Sequence, residues 1–396
     1  MKVLVCGAGV AGLTLAWYLE RSGWEVELVE RAPAFRDGGY MIDFYGPGHE
    51  VASRMGLGDR LERARHPVTE LAYVDRHGRP TSRLTMPAEF AEKVVSLPRG
   101  ELARAVHDDV RAPVRYGVSV EAAAHDRHGV TVRLTDGTER RVDLLVGADG
   151  AHSRVRGLAF EQDHPFVRHL GHHVAAYTLT DPELSRRVGE RYEMLTVPGL
   201  MAGTYALGDG RLTMLFLRRE ADPGLPADPR AALRHHYGDL GWILPEALRH
   251  CPDPPVLYYD QVTQVHVDEW SRGRVVLLGD ACQAVSLFAG HGASLAMAGA
   301  WVLADELGAT GERGAAGDVL DALARYQRRM RPVVLEVQRF GRRFVHWMAP
   351  SGRWRIAARD AMLRLASLPG GGRILVGSLI NEGHDLISSA RGPRQG

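Results

Sequence analysis

One acid stands alone in the stretch GDACQAVSLFAGHGAS, Gly279–Ser294. Asp280 follows an apolar, β-branched run, Arg274–Leu278, which predicts a short buried strand. Beyond it, GASLAMAGAWVLADEL predicts a helix whose start carries Gly290, Gly292, Ala293 and Ser294. Together these elements suit a polar ligand. The helix start offers N–H groups without intrahelical acceptors and the positive end of the macrodipole, and the glycines let backbone approach closely. A second constellation lies at the N-terminus, where Gly7, Gly9 and Gly12 spell G-x-G-x-x-G and Glu30 ends an apolar run. Such glycines serve a tight turn, the approach of backbone to a pyrophosphate, and close helix–strand contact, while the acid accepts from a ribose hydroxyl pair. A third is Asp149-Gly150, after the apolar Asp143–Gly147 and before a Ser-capped, Arg-bearing helix start.

Other chemistries find little support. His172-His173 and His235-His236 are adjacent pairs, and neighbours on a strand or helix diverge, so neither chelates well; no metal site is expected. There is no G-x-S-x-G nucleophile turn. No residue stands out as a catalytic acid or base.

The elements that position these residues read as follows. KVLVC is a strand, Ala11–Arg21 a helix ended by Gly23, and EVELVE a second strand, which completes a βαβ dinucleotide unit. Glu30 argues against a 2′-phosphate in this site, so FAD or NAD remains. The chain then leaves the nucleotide fold for RAPAFRDGGYMIDFYGPG, rich in glycine and aromatics, where Tyr40, Tyr45, Gly46 and Pro47 lie. That interruption favours a flavin. From about 171 to 266 the pattern alternates, with Gly208-Asp209-Gly210 as a hairpin turn, which predicts an antiparallel sheet joined by 69–97. From about Gly317 the chain is helical and Arg-rich, with Phe344, Trp347 and Met348 expected to bury a helix face. The final SSARGPRQG is expected to be a disordered tail.

With its three motifs in this order, the sequence resembles the single-component (group A) FAD-dependent aromatic monooxygenases. This is the para-hydroxybenzoate hydroxylase-like superfamily, which includes aromatic polyketide hydroxylases and tetracycline-inactivating enzymes. The resemblance implies an α/β fold: a Rossmann-like FAD-binding domain, an inserted antiparallel-sheet substrate domain and C-terminal helices. The corresponding boundaries are 1–68, 98–170 and 267–345 for the FAD domain, 69–97 and 171–266 for the substrate domain, and 346–396 for the helices and tail. It also implies that Gly7, Gly9, Ala11 and Gly12 meet the FAD pyrophosphate and that Glu30, with Arg31 beside it, holds the adenosine ribose. Arg99 of LPRGEL would reach the ribityl or phosphate region, Asp149 would serve FAD and NAD(P)H, and Asp280 would contact the flavin's polar tail. Gly290, Gly292, Ala293 and Ser294 would face the pyrimidine edge. The implied reaction uses NAD(P)H and O₂, through a C4a-hydroperoxyflavin, to oxygenate an aromatic or polyketide-like small molecule, as in antibiotic biosynthesis. Gln283, Ser286-Leu287 and Ser294 depart from the His, Pro-Pro and Asn common in the family. A flavin-dependent reductase or dehydrogenase, a flavin-binding protein without turnover, and a flavin halogenase are the other readings; the halogenase W-x-W-x-I-P signature is absent.

The bulk numbers agree with an ordered enzyme. The chain has 396 residues, 45% hydrophobic and 24% charged, which allows two or three domains. A formal net charge of +1 gives no global field for nucleic acid or anionic membrane. The three cysteines, Cys6, Cys251 and Cys282, suit small buried residues of a reducing compartment. Val3–Leu19 is uncharged, but its glycines follow a motif and no cleavage site follows, so a cytoplasmic protein without a membrane span is expected, as monomer or dimer.

Overall fold

The computed structural model describes all residues except 37, 39, 87–92, 162–164, 255, 309–318 and 368–396. The expected disordered tail lies outside the described residues. Two large sheets organise the chain. The first runs β17 (Ser271–Arg272), β18 (Val275–Leu277), β11 (Leu144–Gly147), β1 (Lys2–Cys6), β2 (Glu25–Glu30), β7 (Val114–Tyr116). Its five inner-to-edge neighbours from β18 to β7 are parallel, and only β17 runs against them. Such strands are covered on both faces, so they read as unbroken apolar runs: Leu144–Gly147 and Val275–Leu277 are buried throughout. Register places Val3 between Val26 and Leu144, so the ends of β1, β2, β11 and β18 emerge together. Each end carries one of the three motifs. The helices Val10–Arg21 and Gly292–Glu306 pack on this sheet in one apolar core. A small sheet, β10 (Glu139–Val142), β9 (Val130–Leu134), β8 (Val120–His125), lies alongside.

The second large sheet has seven strands: β16 (Tyr258–Val265), β12 (Val167–Thr180), β15 (Arg211–Arg219), β14 (Leu200–Ala206), β13 (Arg191–Val197), β4 (Glu70–Val74), β5 (Pro80–Thr85). Alternation marks it because its two faces meet different partners. On one, Ala175, Tyr177 and Phe216 pack under the helices Pro229–Tyr237 and Leu244–Arg249. On the other, Val174, Met201 and Leu217 meet Phe288 and the end of the long helix Val319–Met348. Met348 is buried there, with Phe344 and Trp347 half-buried beside it.

Two features differ from the sequence reading. The β4–β13 pair is parallel, because β4 enters from the earlier segment rather than through a hairpin. Val95–Leu97, the end of the 69–97 segment, does not join the sheet. Instead β6 (Val95–Pro98) pairs antiparallel with β3 (Met41–Phe44), making a two-stranded ribbon. The Met41 N–H donates to the hydroxyl oxygen of Tyr205 on β14, so the ribbon is tied to the seven-stranded sheet.

Candidate active site

The glycine turn is tight for physical reasons. Gly7 has φ +110°, and a Cβ there would lie 2.3 Å from the Ala148 carbonyl oxygen. A Cβ on Gly12 would lie 2.1 Å from the Gly7 carbonyl oxygen, so the helix can start against the strand only with glycine. Gly9 has nothing within 4 Å of its Cβ position, and neither do Gly290 and Gly292. These three positions border open space on the motif side of the sheet. Ala11 is buried and touches the third motif, because a Cβ on Gly279 would lie 2.7 Å from Ala11 Cβ.

Around this space the structure brings several predicted residues together. Glu30 turns back onto the turn, its carboxylate accepting from Ala8 N at 3.0 Å and Ala32 N at 2.8 Å. Arg31 is exposed beside it. Arg99 starts the helix Arg99–His107, donates its backbone N–H to the Tyr40 carbonyl at 3.0 Å, and acts electrostatically on Asp280. Asp280 is open to solvent, yet protein surrounds it closely enough that desolvation raises its pKa, with Arg99 opposing. Solvent access with dense surroundings marks the wall of a cleft. Tyr40 and Tyr258, whose rings lie 5.9 Å apart, feel the same Arg99 and Asp280.

Two predicted residues are committed to the protein itself. Asp149 accepts from the Ser153 hydroxyl, Arg154 N at 2.7 Å and Val155 N at 3.1 Å, so its carboxylate orders the start of the helix Arg154–Ala159. Ser294 is buried and donates its hydroxyl to the Tyr45 carbonyl at 2.8 Å, fastening the loop after β3 to the helix start. The backbone of Gly292 and Ala293 stays at the half-exposed first turn.

Sequence reasoning missed the residues that hold these pieces in register. Arg156 is buried, stacks on Phe166, and donates to the carbonyls of Ala281 at 2.8 Å and Ala151 at 2.7 Å, which joins the second motif to the third. Gln264 donates to the carbonyl of Val285, and Gln338 to that of Ala284, around Ser286 at φ +83°. His291, buried between the two glycines, bonds Ala289 O through Nδ1, so that nitrogen carries the proton and Nε2 accepts from Tyr45 OH at 3.0 Å. His291 was visible as the x of Gly-x-Gly; Arg156, Gln264 and Gln338 carried no spacing signal.

Among the described residues, Asp181, Glu246 and His250 bring ligand atoms within 4.8 Å of one another. Asp181 already caps the helix Pro182–Val188 by accepting two backbone N–H bonds. The three cysteines are buried and unpaired with one another, and burial pushes the Cys6 thiol up to about 12. No described helix is long and apolar enough to cross a membrane.

A parallel sheet whose strand ends carry a glycine turn, a ribose-side acid and a cleft acid defines a dinucleotide-dependent oxidoreductase fold. Comparison with known proteins takes this further. Residues 1–195 and 259–341 match the family described as FAD binding domain. An uncharacterised protein of Mycobacterium tuberculosis is 34% identical over 326 residues, covering 78% of this chain and 86% of that one. A flavin-dependent monooxygenase from an unknown prokaryotic organism is 30% identical over 356 residues, covering 86% and 88%. Among solved structures, tetracycline destructase Tet(55) is 28% identical with a TM-score of 0.76, covering 94% of this chain and 96% of that one. Klebsiella pneumoniae HpxO, solved with FAD and uric acid, is 25% identical with a TM-score of 0.80, covering 98% and 97%. The chain belongs to the FAD binding domain family and is an FAD-dependent monooxygenase of the para-hydroxybenzoate hydroxylase-like superfamily.

Proposed function

We propose that this enzyme uses NAD(P)H and O₂ to oxygenate an aromatic or polycyclic small molecule lodged between the glycine-lined cleft and the seven-stranded sheet. The observation that carries this reading is the open space at Gly9, Gly290 and Gly292, with Asp280 and Arg99 on its wall. FAD, when bound and reduced by NAD(P)H, supplies the activation of O₂. The chain's own residues bind, orient and exclude water. Backbone at Gly7, Gly9 and Gly12 meets the pyrophosphate, with Ala11 holding the turn against Gly279. Glu30 accepts from the ribose while keeping Ala8 N–H in place, and Arg31 covers the adenosine side. Arg99 and Asp280 take the ribityl and phosphate region. The N–H groups of Gly292 and Ala293, at the positive end of a fifteen-residue helix, would favour negative charge on a bound flavin, and Gly290 would leave room for it. Asp149 and Ser294 act through the elements they fasten.

Names among the relatives support the substrate class: a tetracycline destructase, and an enzyme solved with uric acid. A cytoplasmic monomer or dimer fits this chemistry. The test is NADH and NADPH oxidation by the FAD-loaded protein, with oxygen uptake, against tetracycline, uric acid and simple phenols. Substrate-stimulated oxidation with oxygenated product supports the reading. Oxidation of NAD(P)H that reduces substrate without oxygen uptake makes the protein a reductase.

A further inference from the structure

One member of each adjacent histidine pair, His173 and His236, lines a gap behind the seven-stranded sheet, together with Arg218, Leu233, Tyr237 and Tyr259. His173 of β12 pairs in register with Arg218 of β15, on the face of Ala175 and Phe216 that lies under the helix Pro229–Tyr237. His172 faces the other way, its ring 5.6 Å from that of His346. The gap therefore lies on the side of the sheet away from Val174, Leu217 and the cleft. It measures about 190 Å³, part of it open solvent, against about 300–1,000 Å³ for the pocket of an organic ligand. Its walls are polar where they are buried. His173 is 2% exposed and Tyr237 1%. Among the described residues, neither ring nitrogen of His173 has a hydrogen-bond partner, nor do the Tyr237 hydroxyl and Arg218 Nε. Buried polar groups are nearly always bonded, so this concentration of unpaired ones calls for a ligand. The charged groups around the gap are few. Arg218 holds Glu220 through a terminal nitrogen, and Glu220 accepts at its other oxygen from Asp222 N at 3.2 Å, so neither carboxylate oxygen is left over. His169, with Nε2 on the Glu220 carbonyl, has its ring 5.7 Å from that of His173, and His235 adjoins His236 on the helix. The Asp222 carbonyl favours a charged His173 ring without completing a hydrogen bond.

We propose that this gap binds one small anion of halide size, chloride above all, held by N–H and O–H donors of His173, Arg218 and Tyr237. The site goes beyond the proposed function and does not rest on it. Arg218 Nε can only donate, and the Tyr237 hydroxyl and a protonated His173 ring donate beside it. Arg218 and His169 act on the His173 ring more strongly than Glu220 does, so the potential there is positive. An anion relieves that potential, and a water molecule does not. The bound ion joins the helix Pro229–Tyr237 to β12 and β15, where the rings of Phe216 and Tyr237 already pack 4.9 Å apart. Binding also takes up a proton. In the empty site desolvation, then Arg218 and His169, lower the His173 pKa, and an anion favours the charged ring. Affinity therefore rises as pH falls, by up to about tenfold per pH unit for one proton taken up.

The test uses the FAD-loaded protein, so that the cleft is filled, dialysed free of chloride. Sodium chloride is then titrated in at constant ionic strength against sodium gluconate, and binding is read as excess line width of the chloride NMR signal. The wild type should broaden the signal saturably, more so at lower pH, and excess bromide should reverse the effect. Tyr237→Phe keeps the ring against Phe216 and removes only the unpartnered hydroxyl. It should melt no lower than wild type without chloride, yet bind chloride at least about threefold more weakly. His173→Leu should bind at least about tenfold more weakly and lose the pH dependence. Should His173→Leu fail to fold, the Tyr237→Phe comparison decides alone. Equal broadening by wild type and Tyr237→Phe overturns the proposal, because the ion then sits elsewhere. Absence of saturable broadening by the wild type overturns it too, and leaves the gap to water.

Discussion

Replacing Asp280 separates a structural acid from a ligand-binding one. Asp280 opens the four-residue helix Asp280–Gln283, where an acid could serve merely as a cap. The geometry says otherwise. The capping position belongs to Gly279, there is no side-chain cap bond, and no hydrogen bond or ion pair of the carboxylate is present among the described residues. Desolvation by the protein crowded around it raises its pKa, with Arg99 opposing. The sign follows: the folded state favours the protonated acid, so stability from this group is present at low pH and lost as pH rises through the folded value. Ionising this carboxylate therefore costs folding stability. Asp280→Asn should leave apo melting unchanged or raise it. FAD binding should move the other way. A charge-assisted hydrogen bond contributes about 1.5–3 kcal/mol, so Asp280→Ala should weaken FAD binding roughly 10- to 150-fold. Asn should lie between, because it keeps an acceptor without the charge. Differential scanning of apo protein and FAD titration by flavin fluorescence read the two effects separately. An unchanged dissociation constant, or apo melting that falls in step with affinity, would refute the reasoning.

Three further outcomes follow from the same geometry. Glu30→Ala should lower apo stability by about 1–3 kcal/mol in denaturant unfolding, since Ala8 N and Ala32 N lose their acceptor, and should also weaken FAD binding; unchanged affinity would make Glu30 a turn residue only. Gly12→Ala forces a Cβ against backbone at Gly7, so it should cost about 1–3 kcal/mol and yield protein without FAD; a yellow, equally stable variant would contradict the packing. Burial lowers the His172 pKa from 6.5 to about 4, with its Nδ1 on the Leu170 carbonyl opposing and His346 adding to the fall. The folded ring holds a proton less tightly than the unfolded one, so its stabilisation is present above 6.5 and is lost as pH falls toward about 4. His172→Gln should flatten the melting temperature against pH over that window; an unchanged slope would assign the acid sensitivity elsewhere.

Much of this architecture was legible in the sequence, and for identifiable reasons. The glycine turn, Glu30, Asp149 and Asp280 sit at strand ends, where apolar runs stop and the residue types are demanded by close approach. The seven-stranded sheet showed through alternation because its two faces bury different partners. What stayed hidden depends on contacts distant in sequence. Arg156 looks like a surface arginine until Ala281 O lies 2.8 Å away. Gln338 sits in an Arg-rich helix, and only the fold reveals that its amide holds Val265 and Ala284. Val95–Pro98 alternates like its neighbours, and nothing local says that it pairs with Met41–Phe44 instead.

The central claim is that this cleft transfers an oxygen atom from O₂ to an organic substrate. The direct measurement is turnover of the FAD-loaded enzyme under ¹⁸O₂ with NAD(P)H and tetracycline, uric acid or 4-nitrophenol, followed by mass spectrometry of the product. The account predicts one labelled oxygen in the product for each NAD(P)H consumed in coupled turnover. Unlabelled product, with hydrogen peroxide as the only fate of the oxygen, would contradict it.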